Sequence, residues 1–311
     1  MQSRETKENN MLKIAFDPCY KHPLPQGHKF PMEKYELLPQ QLIHEGTVSE
    51  QNFFEPAPIE RQQAEAVHNA DYLDRLLNLQ ITPREQRKTG FPHSRELIRR
   101  ELIITGGSIQ SARYAMEYGV SFNIAGGTHH AFTNRGEGFC LLNDIAVSSA
   151  YLLKHHENIN RILVVDLDVH QGNGTAQIFA NNHAVFTFSM HGEKNYPMHK
   201  EKSDLDIELP DYTDDRTYMK HLDSTLPKLL DTVQPDFIFY QCGVDVLKTD
   251  KLGRLGLTIE GSKNRDRYVL ERCKRNGIPV ACSMGGGYSE RISDIIEAHA
   301  NTYRLAAYLY F

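Results

Sequence analysis

Apolar positions along the chain fall into short, mostly unbroken runs separated by longer stretches in which apolar and polar residues mix. The short runs, residues 13–16, 121–125, 161–166, 184–189, 237–242 and 279–283, are rich in Val, Ile and Phe and mostly do not alternate. That pattern suits strands buried on both faces, as in a parallel sheet. The longer stretches, residues 59–79, 97–118, 144–155, 217–233, 262–276 and 292–309, carry helical spacing. Val67, Leu73, Leu76 and Leu77 form one such apolar stripe. Strand–helix alternation implies right-handed crossovers. The expected fold is α/β: a single domain of three layers, α/β/α, around a mostly parallel central sheet.

Composition changes this picture little. A chain of 311 residues has room for two domains, but nothing in its middle reads as a linker, so residues 11–311 are expected to form one domain. No internal repeat or low-complexity tract interrupts it. Apolar residues make up 40% of the chain, enough for one sizeable core. The net charge of −5 is spread over interspersed signs, which argues against direct nucleic-acid binding. Cys19, Cys140, Cys242, Cys273 and Cys282 are odd in number and widely spaced, which reads as reduced thiols in a cytoplasmic setting. No apolar run is long enough to cross a membrane. Residues 1–10 are polar, lack a secretory apolar region, and read as a disordered tail.

Chemistry collects where the strands end, the place where open α/β sheets bind ligands. Residues 121–125 run into Gly126-Gly127-Thr128-His129-His130, and residues 161–166 into Leu167-Asp168-Val169-His170-Gln171-Gly172-Asn173. Residues 237–242 run into Gly243-Val244-Asp245, and residues 279–283 into Met284-Gly285-Gly286-Gly287-Tyr288. Asp168 and His170 are two apart, so an extended backbone points both the same way. With Asp245 from another strand they make a three-ligand set for a catalytic Zn²⁺ with an open position. The plainer alternative is a helix-capping aspartate beside a loop histidine. Convergence of several polar groups on one rim favours the metal. A turn at the glycine pair would present His129 and His130 to the same cavity, where an imidazole can take a proton from water. Asp166 and Asn173 are natural partners for the two rings: a carboxylate raises imidazole basicity, whereas an amide only orients it. Tyr288, after three glycines, can donate to a developing oxyanion. The absence of a lysine after those glycines argues against a phosphate loop.

These strings resemble the signature of histone deacetylases and their bacterial relatives: G-G-T-H-H-A, G-F-C-x-x-N-D, V-D-L-D-V-H-Q-G-N-G, G-V-D followed by D-x-L-G, and G-G-G-Y. Order and spacing fit from about Ile14 to the C-terminus. The Q-G-N-G ending and the stretch at residues 27–32 are most similar to the class IV branch. The resemblance implies an arginase/deacetylase-like fold and a zinc-dependent deacylase acting on acylated lysine side chains. It implies Asp168, His170 and Asp245 as zinc ligands, His130 as main proton shuttle, and His129 as its electrostatic partner paired with Asp166. Tyr288 would polarise the substrate carbonyl. Gly138, Phe139 and Gly286 would line the acyl-lysine tunnel, with Tyr196 on the facing wall, where many relatives carry Phe. Oxygens of Asp166, Asp168, His170, Ser189 and Met190 would hold a structural K⁺. Asn173 stands where class I members carry Asp, which should leave His130 less basic.

Two other classes are weighed against this. Binuclear manganese hydrolases of the arginase kind carry D-x-H-x-D, and Gly172 at the last position cannot supply that ligand. A non-catalytic acyl-lysine binder would lack a ligand or the tyrosine, and none is missing. Within the enzyme reading, acetyl-lysine proteins, longer acyl-lysines and acetylated polyamines all stand as substrates; no membrane partner is expected.

Overall fold

The structure, a computed structural model, describes residues 11–311; the tail read at residues 1–10 lies outside them. Eight strands form one sheet: β1 (Lys13–Ala15), β2 (Phe53–Phe54), β3 (Val120–Asn123), β4 (Ile162–Asp166), β5 (Val185–Gly192), β6 (Leu205–Leu209), β7 (Phe237–Gln241) and β8 (Val280–Ser283). Their order is β2-β1-β3-β8-β7-β4-β5-β6, and every pairing is parallel. All six runs expected as strands are strands. The two that the pattern did not reveal, β2 and β6, are the sheet's edges. β2 is two residues long and β6 is half-exposed with alternating polarity, so neither leaves an unbroken apolar run.

The inner strands β3, β4, β7 and β8 are buried at every residue, because helices cover both faces. Ile162, Val164, Phe237 and Phe239 pack with Ala112, Ile145 and Leu152 from the helices Arg95–Tyr118 and Asp144–His155. Leu163, Val165, Ile238 and Tyr240 alternate to the other face and join a core with Leu222, Leu226, Val269 and Leu270 from the helices Asp215–Val233 and Ile259–Arg275. Among the described residues no helix is long and apolar enough to cross a membrane.

The stretch 59–79 is not one helix. It breaks into Arg61–Ala64 and Ala70–Leu77. Tertiary hydrogen bonds override the helical stripe here: Asn69 N–H donates to Thr133 O at 2.8 Å, and the buried His68 ring donates from Nδ1 to Phe132 O at 2.9 Å while its Nε2 accepts from Asn143 N–H at 3.0 Å. His68 thus ties the chain after His130 to the start of the next helix. The helix Lys34–His44 was also not expected; Pro39 inside it and its mixed polarity hide its period.

Register aligns the functional rim. Asn123 pairs with Ser283, Ser283 with Gln241, Gln241 with Asp166, and Asp166 with Ser189. Residues just beyond this row emerge side by side at the carboxyl edge of the sheet.

Candidate active site

Beyond β4, Leu167 and Val169 join the core, and Asp168 and His170 line the pocket. Asp245 arrives from beyond β7, and its Oδ1 accepts Val169 N–H at 2.9 Å. His170 Nδ1 lies 3.0 Å from Asp168 Oδ1 and 3.1 Å from Asp245 Oδ2. One ligand atom from each of the three lies within 4.8 Å of the others, and all three side chains are buried. Two carboxylates buried so close strain against each other. Burial, then the charge of Asp168, pushes Asp245 up to about 7. Burial opposes a charged His170, but its hydrogen bonds to both carboxylates outweigh that and hold the ring at about 10. The pocket thus draws a positive charge to the point where the three atoms converge. Two oxygens and one imidazole nitrogen are a donor set suited to a zinc ion, with room left for an open position.

Gly126 and Gly127 have φ of 80° and 76°, and a Cβ on Gly127 would lie 2.1 Å from Gln241 Oε1. The turn they make is held by Asp144, whose carboxylate accepts the N–H groups of Gly127 and Thr128 at 3.1 and 2.7 Å. It presents both histidines to one cavity, with ring centroids 4.1 Å apart. His129 Nδ1 donates to Asp166 Oδ2 at 2.7 Å, and His130 Nδ1 to Asn173 Oδ1 at 2.6 Å. The partners set opposite protonation. Burial disfavours the His129 cation, yet the charge and hydrogen bond of Asp166 raise it to about 9. Burial, then the charges of His129 and His170, drives His130 well below the usual imidazole value. One ring is held charged and its neighbour neutral, with Nε2 of His130 left as a base.

Tyr288 enters from the far side. Gly286 N–H donates to Asp168 Oδ2 at 2.9 Å, and a Cβ on Gly286 would lie 1.9 Å from Asp245 Oδ2, so only glycine fits against the two carboxylates. Tyr288 N–H is fixed by Asp250 Oδ2 at 2.6 Å. A pocket lined by Phe30, Phe91, Gly138, Phe139, Gly286 and Tyr288 leads to His129, His130, Asp168 and His170. Its cavity volume is about 40 Å³, above the roughly 10–15 Å³ that one water needs. Gly138 and Phe139, both with left-handed backbones, stand on this wall. Tyr196 sits edge-on to His130 at 5.0 Å, is 38% exposed, and donates to Glu137 Oε2, placing it at the outer edge. Deeper in, the aromatic wall is Phe30 and Phe91, at 5.1 and 5.2 Å from the Phe139 ring. Phe91 lies in no motif, and Phe30 falls within the stretch 27–32, which marks the segment but not this role. Ser189 lies beside Asp166 across β4 and β5, with Met190 next to it, both buried.

Arg265 was also missed. Fully buried, it donates to the carbonyls of Leu167 (3.1 Å), Gly243 (2.8 Å) and Cys242 (3.3 Å) and to Asp266 Oδ1 (2.8 Å). It therefore buttresses the two strand ends that carry Asp168 and Asp245. Tyr240 and Thr302 hydroxyls complete the shell of Asp266 at 2.5 and 2.6 Å.

Comparison with known proteins places the chain among its relatives by sequence and fold. Residues 28–303 match the family described as histone deacetylase domain. An uncharacterized protein of Picosynechococcus sp. is 43% identical over 297 residues, covering 96% of this chain and 99% of that relative. Histone deacetylase RPD3 of Saccharomyces cerevisiae is 31% identical over 288 residues, covering 85% of this chain and 65% of the relative. The crystal structure of an HDAC homolog complexed with SAHA is similar with a TM-score of 0.80 and 25% identity, covering 95% of this chain and 82% of that one. An HDAC homolog from Aquifex aeolicus has a TM-score of 0.80 and 24% identity, over 94% and 82% of the two chains.

Proposed function

The chain belongs to the histone deacetylase family, and from that premise we propose that it is a zinc-dependent amidohydrolase that removes acetyl or other short acyl groups from lysine side chains. The observation that carries the proposal is the convergence of Asp168, His170 and Asp245 beside a charged and a neutral imidazole. Asp168, His170 and Asp245 would hold the ion. When bound, zinc supplies Lewis acidity to the scissile carbonyl and to the attacking water.

The chain's own residues do the remaining work. Nε2 of His130, free because Nδ1–H is committed to Asn173, takes the proton from water as it attacks. Tyr288 donates its hydroxyl to the carbonyl oxygen as negative charge grows there. His129, kept positive by Asp166, stabilises that charge, and a histidine then gives a proton to the leaving amine. Gly138, Phe139 and Gly286 shape a slot for a slender alkyl chain, with Tyr196 at its mouth. A cavity of only about 40 Å³ supports a short acyl group among the acyl-lysines that stand as substrates. Oxygens of Asp166, Asp168, His170, Ser189 and Met190 are assigned to a structural K⁺.

A panel of acyl-lysine peptides of rising chain length, with acetylated polyamines alongside, tests this. Acetyl-lysine peptides should be hydrolysed, activity should vanish with a chelator, and it should return with zinc. Stoichiometric zinc without hydrolysis of any member of the panel would make the chain an acyl-lysine binder instead.

A further inference from the structure

Lys34 opens the helix Lys34–His44 and is fully buried, with its ammonium 3.0 Å from Gly285 O. Among the described residues it forms no ion pair. Three aromatic rings surround the charge, with centroids 5.1 Å (Phe30), 5.6 Å (Tyr35) and 5.5 Å (Tyr288) away. A buried cation with one neutral acceptor is expensive to keep. Burial lowers its pKa to about 8, while Asp245, Asp168 and Asp250 pull the other way. The placement of its one hydrogen bond is informative. Gly285 C=O and Gly286 N–H belong to a single peptide unit. The carbonyl accepts from Lys34 at 3.0 Å, and the N–H donates to Asp168 Oδ2 at 2.9 Å. Hydrogen bonds in such a chain polarise one another. The same ammonium faces the Tyr288 ring, two residues further on.

On the reading that this is a deacylase, we propose that Lys34 is a positioning residue that holds the Gly285–Gly286 peptide against Asp168 and orients the Tyr288 phenol towards the substrate carbonyl. Lys34 touches no reacting atom; it acts through the glycine segment. A lysine buried only for packing would be replaceable by methionine of similar length, with stability unchanged or improved.

The test compares wild type, Lys34→Met, Lys34→Gln, Tyr288→Phe and the Lys34→Met/Tyr288→Phe double variant, all zinc-loaded. Melting temperature, zinc content, kcat and KM on an acetyl-lysine peptide, and hydrogen exchange across residues 284–288 are measured. Lys34→Met should keep its melting temperature and its zinc, lose about 10–100-fold in kcat with KM changed less than about threefold, and exchange faster across the segment. In the Tyr288→Phe background the same substitution should cost less than about threefold. Lys34→Gln, which keeps a donor, should fall between wild type and Lys34→Met. Unchanged exchange and kcat, losses that multiply independently of Tyr288, or a fall in melting temperature of both Lys34 variants would overturn the proposal. An inactive wild type would instead refute the deacylase reading, and the exchange comparison would still decide whether Lys34 fixes the segment.

Discussion

Arg265→Met removes a buried side chain that helps tie the ligand-bearing strand ends together. Arg265 is fully buried and donates to three carbonyls and to Asp266. Methionine fills much of the volume but leaves the Leu167, Cys242 and Gly243 carbonyls without this donor and the Asp266 carboxylate without its cation. Breaking one partner of a buried pair costs about 3–5 kcal/mol. The Tyr240 and Thr302 hydroxyls that stay on Asp266 place the effect near the lower end. At about 2.1 cal/mol/K per residue, 311 residues give an unfolding entropy of about 0.65 kcal/mol/K. The melting temperature should therefore fall by about 5 °C. Arg265→Lys should recover only part of this, because a point charge cannot meet four acceptors held in a planar fork. Scanning calorimetry of metal-free protein reads the effect without contribution from zinc. A shift under about 1 °C for Arg265→Met, or full recovery in the lysine variant, would refute the buttress.

Three further outcomes are expected. Tyr288→Phe should retain zinc and lose about 10²–10³ in kcat; near-wild-type turnover on an acetyl-lysine peptide would remove the tyrosine from the mechanism. A base works only when unprotonated, and burial, with the charge of His129 beside it, holds His130 well below 6.5, so the acid limb of the pH–rate profile should lie below that value. Asn173→Asp places an anion on Nδ1 and should move that limb to higher pH by about 1–3 units; an unmoved or lowered limb contradicts the pairing. Burial holds His68 down at about 4, against 6.5 for the free side chain. Between those values the unfolded chain binds a proton that the folded one does not, so stability falls as pH drops from 6.5 to 4, by up to about 3 kcal/mol from this group. Urea titrations of wild type and His68→Gln across that window should show the smaller slope in the variant.

What the sequence revealed and what it hid follow from one physical difference. The inner strands sit between two helical layers, so their apolar runs are unbroken and readable. Their ends supply Asp168, His170, Asp245, His129, His130 and Tyr288, because a parallel sheet places every carboxyl end on one rim. The two-residue alternation of Asp168 and His170, and the glycines that alone fit beside Gln241 and Asp245, are local and leave local marks. Lys34, His68 and Arg265 leave none. Each is a polar residue in a segment that reads as ordinary helix or loop, and each acquires its role only when a remote carbonyl, amide or carboxylate folds against it. The stretch 59–79 failed as a helix for the same reason: contacts with residues 132, 133 and 143, invisible to periodicity, outweighed its stripe.

The central claim is one divalent cation held by two aspartates and a histidine from two strand ends. A crystal structure of zinc-loaded protein, with diffraction recorded at the zinc absorption edge, tests it most directly. One anomalous peak per chain, about 2.0–2.1 Å from His170 Nδ1 and in contact with Asp168 and Asp245, is the predicted result. Two peaks in the pocket, or a single peak away from these three side chains, would contradict it.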